Sequence, residues 1–206
     1  YGEERSVEII KSSMAALSQI PGVTSVAGNN DPELVGDSET SNYSIQGYKP
    51  AEDEKMNFEQ PRITAAYFTT IGQPILAGRE FTAADTMGQP KVAVVNLAFV
   101  KRFFGTPQNA IGRQIAEGGG SNIKFDITIV GVVGDTKHTD LRTKLGPAIY
   151  KPYLQQKHPT GLMIYLRTAR PPETIEPAIR QTMRQLDSTL VVNDLPVGTV
   201  VDFRLD

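Results

Sequence analysis

Apolar residues recur along this chain with two different periods. Near the N-terminus Val7, Ile10, Met14 and Leu17 fall at i, i+3, i+7 and i+10, a single stripe that predicts a helix over about 4–20. Pro21-Gly22 ends it. Far along the chain Ile175, Ile179, Met183 and Leu186 repeat the spacing, with Ala178 and Thr182 alongside. That second helix opens at Pro171-Pro172-Glu173, where proline suits the first turn. Between the two, period-two alternation dominates. Leu162, Ile164 and Leu166 alternate with Met163, Tyr165 and Arg167, and Phe125, Ile127 and Ile129 alternate with Asp126 and Thr128. The second run continues into the apolar stretch Val130 to Val133, so one long strand is expected, half exposed at its start and buried at its end.

Shorter elements fill the rest. Strands are expected over 23–27, 43–48, 62–66, 91–95, 111–115, 148–153 and 190–192. Pro152 inside its strand predicts a sheet edge. Residues 67–71 read as one helical turn before Gly72. Asn96 is placed to cap a helix over 97–104 that Gly105 and Pro107 stop. Thr82 is placed to cap a short turn. Residues 28–40, 49–60, 73–81 and 134–145 read as loops or Gly/Pro-bounded segments, Gly118-Gly119-Gly120-Ser121 as a hairpin tip, and 196–203 as the start of a further helix. Helices and strands are mixed without regular βα alternation, which argues for α+β rather than a doubly wound sheet. The opening helix and strand and the closing strand–helix–strand unit are expected to share one sheet, with the middle of the chain inserted between them.

Composition narrows the function classes. The 206 residues carry 21 Lys+Arg against 23 Asp+Glu, a net charge of −2, so no overall basic field points to nucleic acid or an anionic membrane surface. Cysteine is absent, which excludes disulfides, thiolate metal sites and a Cys nucleophile. No run approaches the ~20 apolar residues of a membrane span. Neither end reads as a natural terminus, so a piece of a longer protein is expected.

Catalytic constellations are scarce. His138 lies between Asp135 and Asp140, which together offer a metal or acid–base site. With no second histidine and no cysteine nearby, a polar loop in which Asp135 bonds backbone amides is the simpler expectation. His158 precedes Pro159 in a polar stretch and is expected in solvent. Gly-x-Ser-x-Gly and His-Glu-x-x-His are both missing. The glycine run lacks the lysine of a phosphate loop, and the sequon Asn42-Tyr43-Ser44 carries little information. The carboxylate pair Glu52 and Glu54 has no apolar setting to shift it. Lys101, Arg102, Arg180 and Arg184 read as solvated helix faces. Phe99, Phe103 and Phe104 read as core or subdomain interface. No catalytic, cofactor-binding or metal residue is expected.

Several segments taken in order resemble one family. Tyr67-Phe68, Gly72, Pro74 and Gly78-Arg79-Glu80-Phe81 are similar to the signature of MacB-like periplasmic core domains of ABC transporter permeases. Val95-Asn96, Phe99 and Arg102-Phe103-Phe104 resemble the segment that follows it there. Ile111-Gly112-Arg113, Ile129-Val130-Gly131-Val132-Val133-Gly134-Asp135 and Ile149-Tyr150-Lys151-Pro152 continue the likeness in the same order. Leu97 departs from the acidic residue common after the asparagine. The resemblance implies a porter-like subdomain built from 1–66 plus 154–206 and an inserted Sabre-like subdomain, 67–153. It implies a place on the periplasmic side of the cell inner membrane, between the first two membrane helices of a permease. Implied partners are a cytoplasmic ATPase subunit or domain and a second permease copy, with a periplasmic adaptor protein as a further candidate. It implies coupling of ATP-driven movement to export or handling of a substrate or partner protein, without covalent chemistry. A free-standing extracytoplasmic binding module of the same fold is the alternative reading, and a hydrolase or metalloprotein centred on His138, Asp135 and Asp140 a third.

Overall fold

The computed structural model describes residues 3–30, 39–120, 122–135, 146–157, 161–186, 193–195 and 200–203. The N-terminal stripe forms helix α1 (Glu3–Ser18), with Ile10 and Leu17 buried. It leads into strand β1 (Val23–Asn29). The closing unit is β10 (Leu162–Thr168), which carries the alternating run, followed by α5 (Pro172–Leu186). β1 and β10 pair antiparallel from Val23↔Thr168 to Asn29↔Met163. The two ends of the chain therefore share one sheet, and α1 and α5 pack together. Their cluster buries Ile10, Leu17, Ile164, Ile175, Ile179 and Met183. Leu186, placed in the α5 stripe by its spacing, is instead 41% exposed.

The intervening chain supplies β2 (Thr40–Ile45), β3 (Asn57–Glu59), β4 (Arg62–Ile63), helix α2 (Tyr67–Ile71), β5 (Ile75–Gly78) and β6 (Lys91–Asn96). Helix α3 (Leu97–Phe103), helix α4 (Pro107–Ala110), β7 (Gln114–Glu117), β8 (Ile127–Val133) and β9 (Ile149–Pro152) follow. After β10 and α5 come β11 (Asn193–Leu195) and β12 (Val200–Phe203). The described strands form one mixed sheet in the order β11-β12-β10-β1-β4-β9-β6-β8-β7-β2-β3, with β5 beside β8. β4–β9 and β6–β8 are parallel and the other pairs antiparallel. The α+β class therefore holds. A second core surrounds α3, where Phe99 packs with Tyr43, Phe58, Ile115 and Ile129. A third lies between the other two and gathers Tyr67, Phe68, Phe81, Val94, Val133 and Tyr150. In it Phe68 meets Tyr150 edge-on at 5.0 Å, and Tyr67 meets Tyr165 at 5.5 Å.

Several expectations need correction. β9 is not an edge, because it lies between β4 and β6. Its antiparallel register with β6 (Val94↔Tyr150) stops short of Pro152, which has no N–H to offer. There the Gln155 side chain stands in for main chain. Its amide oxygen accepts the Val92 N–H at 3.3 Å, and its nitrogen donates to the Pro90 carbonyl at 2.9 Å. Residues 200–203 are strand rather than helix, pairing with β10. β3 and β5 arise inside segments read as loop or irregular, and α4 was not foreseen. The strand expected over 43–48 sits at 40–45, and that over 111–115 at 114–117. The strand expected over 190–192 lies outside the described residues.

The residues that carry the family resemblance turn out to hold the backbone together. Arg79 N–H donates to the Val130 carbonyl at 2.9 Å where β5 crosses β8. A Cβ at Gly78 would lie 2.1 Å from the Val130 oxygen, and one at Gly131 2.1 Å from the Arg79 oxygen. Only two glycines permit this approach. Asn96 caps α3 as its position predicts, accepting the Phe99 N–H at 3.1 Å. It also accepts the Ala148 N–H at 3.0 Å and donates to the Gly146 carbonyl at 2.9 Å.

Arg79 also grips Asp85 with two bonds, of 2.8 and 2.9 Å. Asp85 in turn accepts the Thr82 N–H at 2.8 Å. The guanidinium is half exposed while the carboxylate is almost covered. The Arg79 hydrogen bonds hold the Asp85 carboxyl below its ordinary range, against the opposing effect of burial. A lowered folded-state value stabilises the fold above the ordinary carboxylate range, near 4, and that gain is lost as pH falls through the lowered value. Asp85→Asn should therefore cost about 1–2 kcal/mol at neutral pH, discounted for the exposed arginine. The variant and parent should converge on acidification. Urea midpoints measured from pH 7 down to 3 check this, and a gap that does not narrow refutes it.

Candidate functional site

The ends of β4, β6, β7 and β9 open onto a cleft of about 430 Å³. Each strand delivers a charge to it, because an end position can turn outward while its neighbours stay in the core. β4 brings Arg62, β6 brings Lys91, β7 ends on Glu117 and β9 carries Lys151. Lys124 and Asp126 come from the approach to β8, and Gln155, Gln156 and Lys157 from the turn after β9. Five cations thus face two carboxylates.

Lys151 bonds Glu117 at 2.9 Å, and its ammonium lies 5.9 Å above the Tyr43 ring. Burial lowers the Lys151 pKa, and the Glu117 hydrogen bond and charge only partly restore it. Burial pushes the Glu117 carboxyl up, but the bond and charge of Lys151 outweigh that and leave it below its usual range. Lys91 pairs with Asp126 at 2.9 Å, and Arg62 with Glu39. Behind the cleft the Tyr43 hydroxyl donates to Gln60 at 2.8 Å, which donates to Glu39 at 2.8 Å. Burial pushes the Tyr43 phenol up, with Glu117 adding to the effect. Gln156 has a buried Nε2 with no acceptor. Such an arrangement can hold negative charge.

Those candidates read from sequence that are among the described residues fall elsewhere. Asp135 accepts the Ala98 N–H at 2.9 Å and so supports the first turn of α3. His138, Asp140 and His158 lie outside the described residues. Among the described residues no three His, Cys, Asp or Glu side chains converge as metal ligands. Glu54 accepts from Arg102 at 2.8 Å and from the Tyr48 hydroxyl at 2.8 Å. The Arg102 bond, followed by that of Tyr48, holds its carboxyl below the usual range. Arg102 is thus engaged rather than merely solvated, and it lies 4.9 Å over the Phe103 ring. Arg180 pairs with Glu176 one helical turn away. Lys101 and Arg184 are exposed, as is Asn42 of the sequon. Phe99 is core, with Phe103 and Phe104 packed against it. The cleft cations were not legible in advance, because they are spread from position 62 to 157 in a chain whose net charge is −2.

No described helix is long and apolar enough to cross a membrane. No curated protein sequence matches the chain. The periplasmic region of MacB from Actinobacillus actinomycetemcomitans superposes with a TM-score of 0.58 at 18% identity, covering 85% of this chain and 73% of that one. The extracellular domain of the noncanonic ABC-type transporter YknZ from Gram-positive bacteria gives 0.55 at 14%, covering 87% and 84%. A domain from Porphyromonas gingivalis, described as part of a permease protein, gives 0.53 at 15%, covering 93% and 81%. At these identities the likeness establishes the fold. Membership comes from the family model for the MacB-like periplasmic core domain, which matches residues 3–184. With its signature glycines at the β5–β8 crossing and its asparagine cap on α3, the chain belongs to the MacB-like periplasmic core domain family.

Proposed function

We propose that this chain is the extracytoplasmic part of an ABC transporter permease that couples ATP-driven movement to export or handling of a substrate or partner protein. It performs no covalent chemistry. The observation that carries this reading is the family match over residues 3–184. The domain stands on the periplasmic side of the cell inner membrane, between the first two membrane helices of the permease. A cytoplasmic ATPase subunit or domain acts on it through the rest of the permease. A second permease copy and a periplasmic adaptor protein complete the assembly.

Two lobes serve that movement, a porter-like one from 1–66 plus 154–206 and a Sabre-like one from 67–153. Pairing of β1 with β10 supports the first. The lobes interlock, since β2 from the first stretch pairs with β7 in the second. Signature residues spent on backbone crossings and caps suit a part that transmits force.

Met87 is 53% exposed and the chain has no cysteine, so Met87→Cys introduces a single thiol into this domain. In spheroplasts carrying the full-length permease, a membrane-impermeant maleimide should modify it. Modification only after lysis would overturn the placement. A transporter that keeps its whole export phenotype after a linker replaces this domain would overturn the coupling.

A further inference from the structure

We infer that the cleft at the ends of β4, β6, β7 and β9 binds a small multivalent anion bearing phosphate or carboxylate oxygens. The charge count is the first reason. Five cations and two carboxylates line a space of about 430 Å³ in a chain whose net charge is −2. That volume falls within the range of small-ligand sites.

Pairing inside the cleft is the second reason. Glu117 is taken by Lys151 and Asp126 by Lys91. Lys124 and Lys157 have no carboxylate partner among the described residues. Positive charge is therefore left over on two exposed lysines that line the cleft.

A covered cation is the third. Lys151 lines the same cleft and is largely covered, 14% exposed, with its pKa lowered by burial. An added negative charge would offset that desolvation. One covered lysine and two exposed ones thus line the same cleft and offer a multivalent anion more than one cation. A molecule carrying two separated charges can meet two of them, whereas a single halide would satisfy only one.

The test is a titration of this chain with inorganic pyrophosphate and with citrate, followed by backbone amide chemical shifts. Saturable changes are expected over 124–127 and 151–157, with a Kd of about 1 mM or tighter. Lys124→Ala with Lys157→Ala should weaken binding about tenfold. Both side chains are exposed, so the melting temperature should not move. Lys101→Ala, on the exposed face of α3, should leave the affinity unchanged. Binding of pyrophosphate alone assigns the site to phosphate, and binding of citrate alone to carboxylate. Shifts that fail to saturate, or an affinity equal in the parent and the double variant, would overturn the proposal.

Discussion

Ile179→Asp should unfold the domain. Ile179 is 1% exposed on α5 and packs in the same cluster as Ile175, Met183, Ile10, Leu17 and Ile164. Removing its side chain from the core forfeits about 2–3 kcal/mol of burial. Placing a carboxylate there adds several more, because it would sit buried among apolar side chains. The sum rivals the ~5–15 kcal/mol that holds a typical domain together. The cluster joins both ends of the chain, so its loss would release β1 and β10 together. Leu186→Asp on the same helix is the control. Leu186 is 41% exposed, and the change should stay within about 0.5 kcal/mol. Thermal melts of the two variants decide the matter. An unchanged midpoint for Ile179→Asp would refute the packing of α5.

Gly131→Ala should cost roughly 3 kcal/mol through a single methyl group. The new Cβ would stand 2.1 Å from the Arg79 carbonyl oxygen and 3.1 Å from Val94 Cγ2. The nearest obstacle is main chain, so no rotamer change relieves it. β5 would have to lift away from β8, giving up the Arg79–Val130 hydrogen bond and disturbing the Arg79–Asp85 pair beside it. Gly119→Ala is the matched control, since its Cβ would meet nothing within 4 Å. Denaturant midpoints that shift equally for both would show that the crossing is not tight.

The strongly periodic parts of the chain were legible in advance, since each local signal agrees with its tertiary setting. β10 and α2 occupy the spans read for them, and Asn96 caps α3 as expected. What escaped depends on distant partners. Asn57–Glu59 becomes a strand because Thr40 to Asn42 lie alongside it. Ile75–Gly78 becomes one because β8 does the same for it. Their own sequences, broken by Gly and Pro or dominated by charge, carry no period. Pro152 misled for a related reason, as the side chain that completes the sheet past it belongs to Gln155, three residues on. The cleft was hidden more deeply. Arg62, Lys91, Lys124, Lys151 and Lys157 each look like an ordinary surface charge until the strand ends bring them together.

β4 is the narrowest part of the sheet. It is two residues long, with one matched position against β1 (Asn29↔Ile63) and two against β9. In the order of the described strands, β4 is the link between the β11-β12-β10-β1 side of the sheet and the β9-β6-β8-β7-β2-β3 side. In a structure under tension, deformation collects where the fewest hydrogen bonds cross. Bending between the two sides would be expected to fall at Arg62-Ile63, beside the edge-on aromatics of the middle core. Arg62 belongs both to that link and to the wall of the basic cleft, so a change in bending there alters the spacing of the charges beside it.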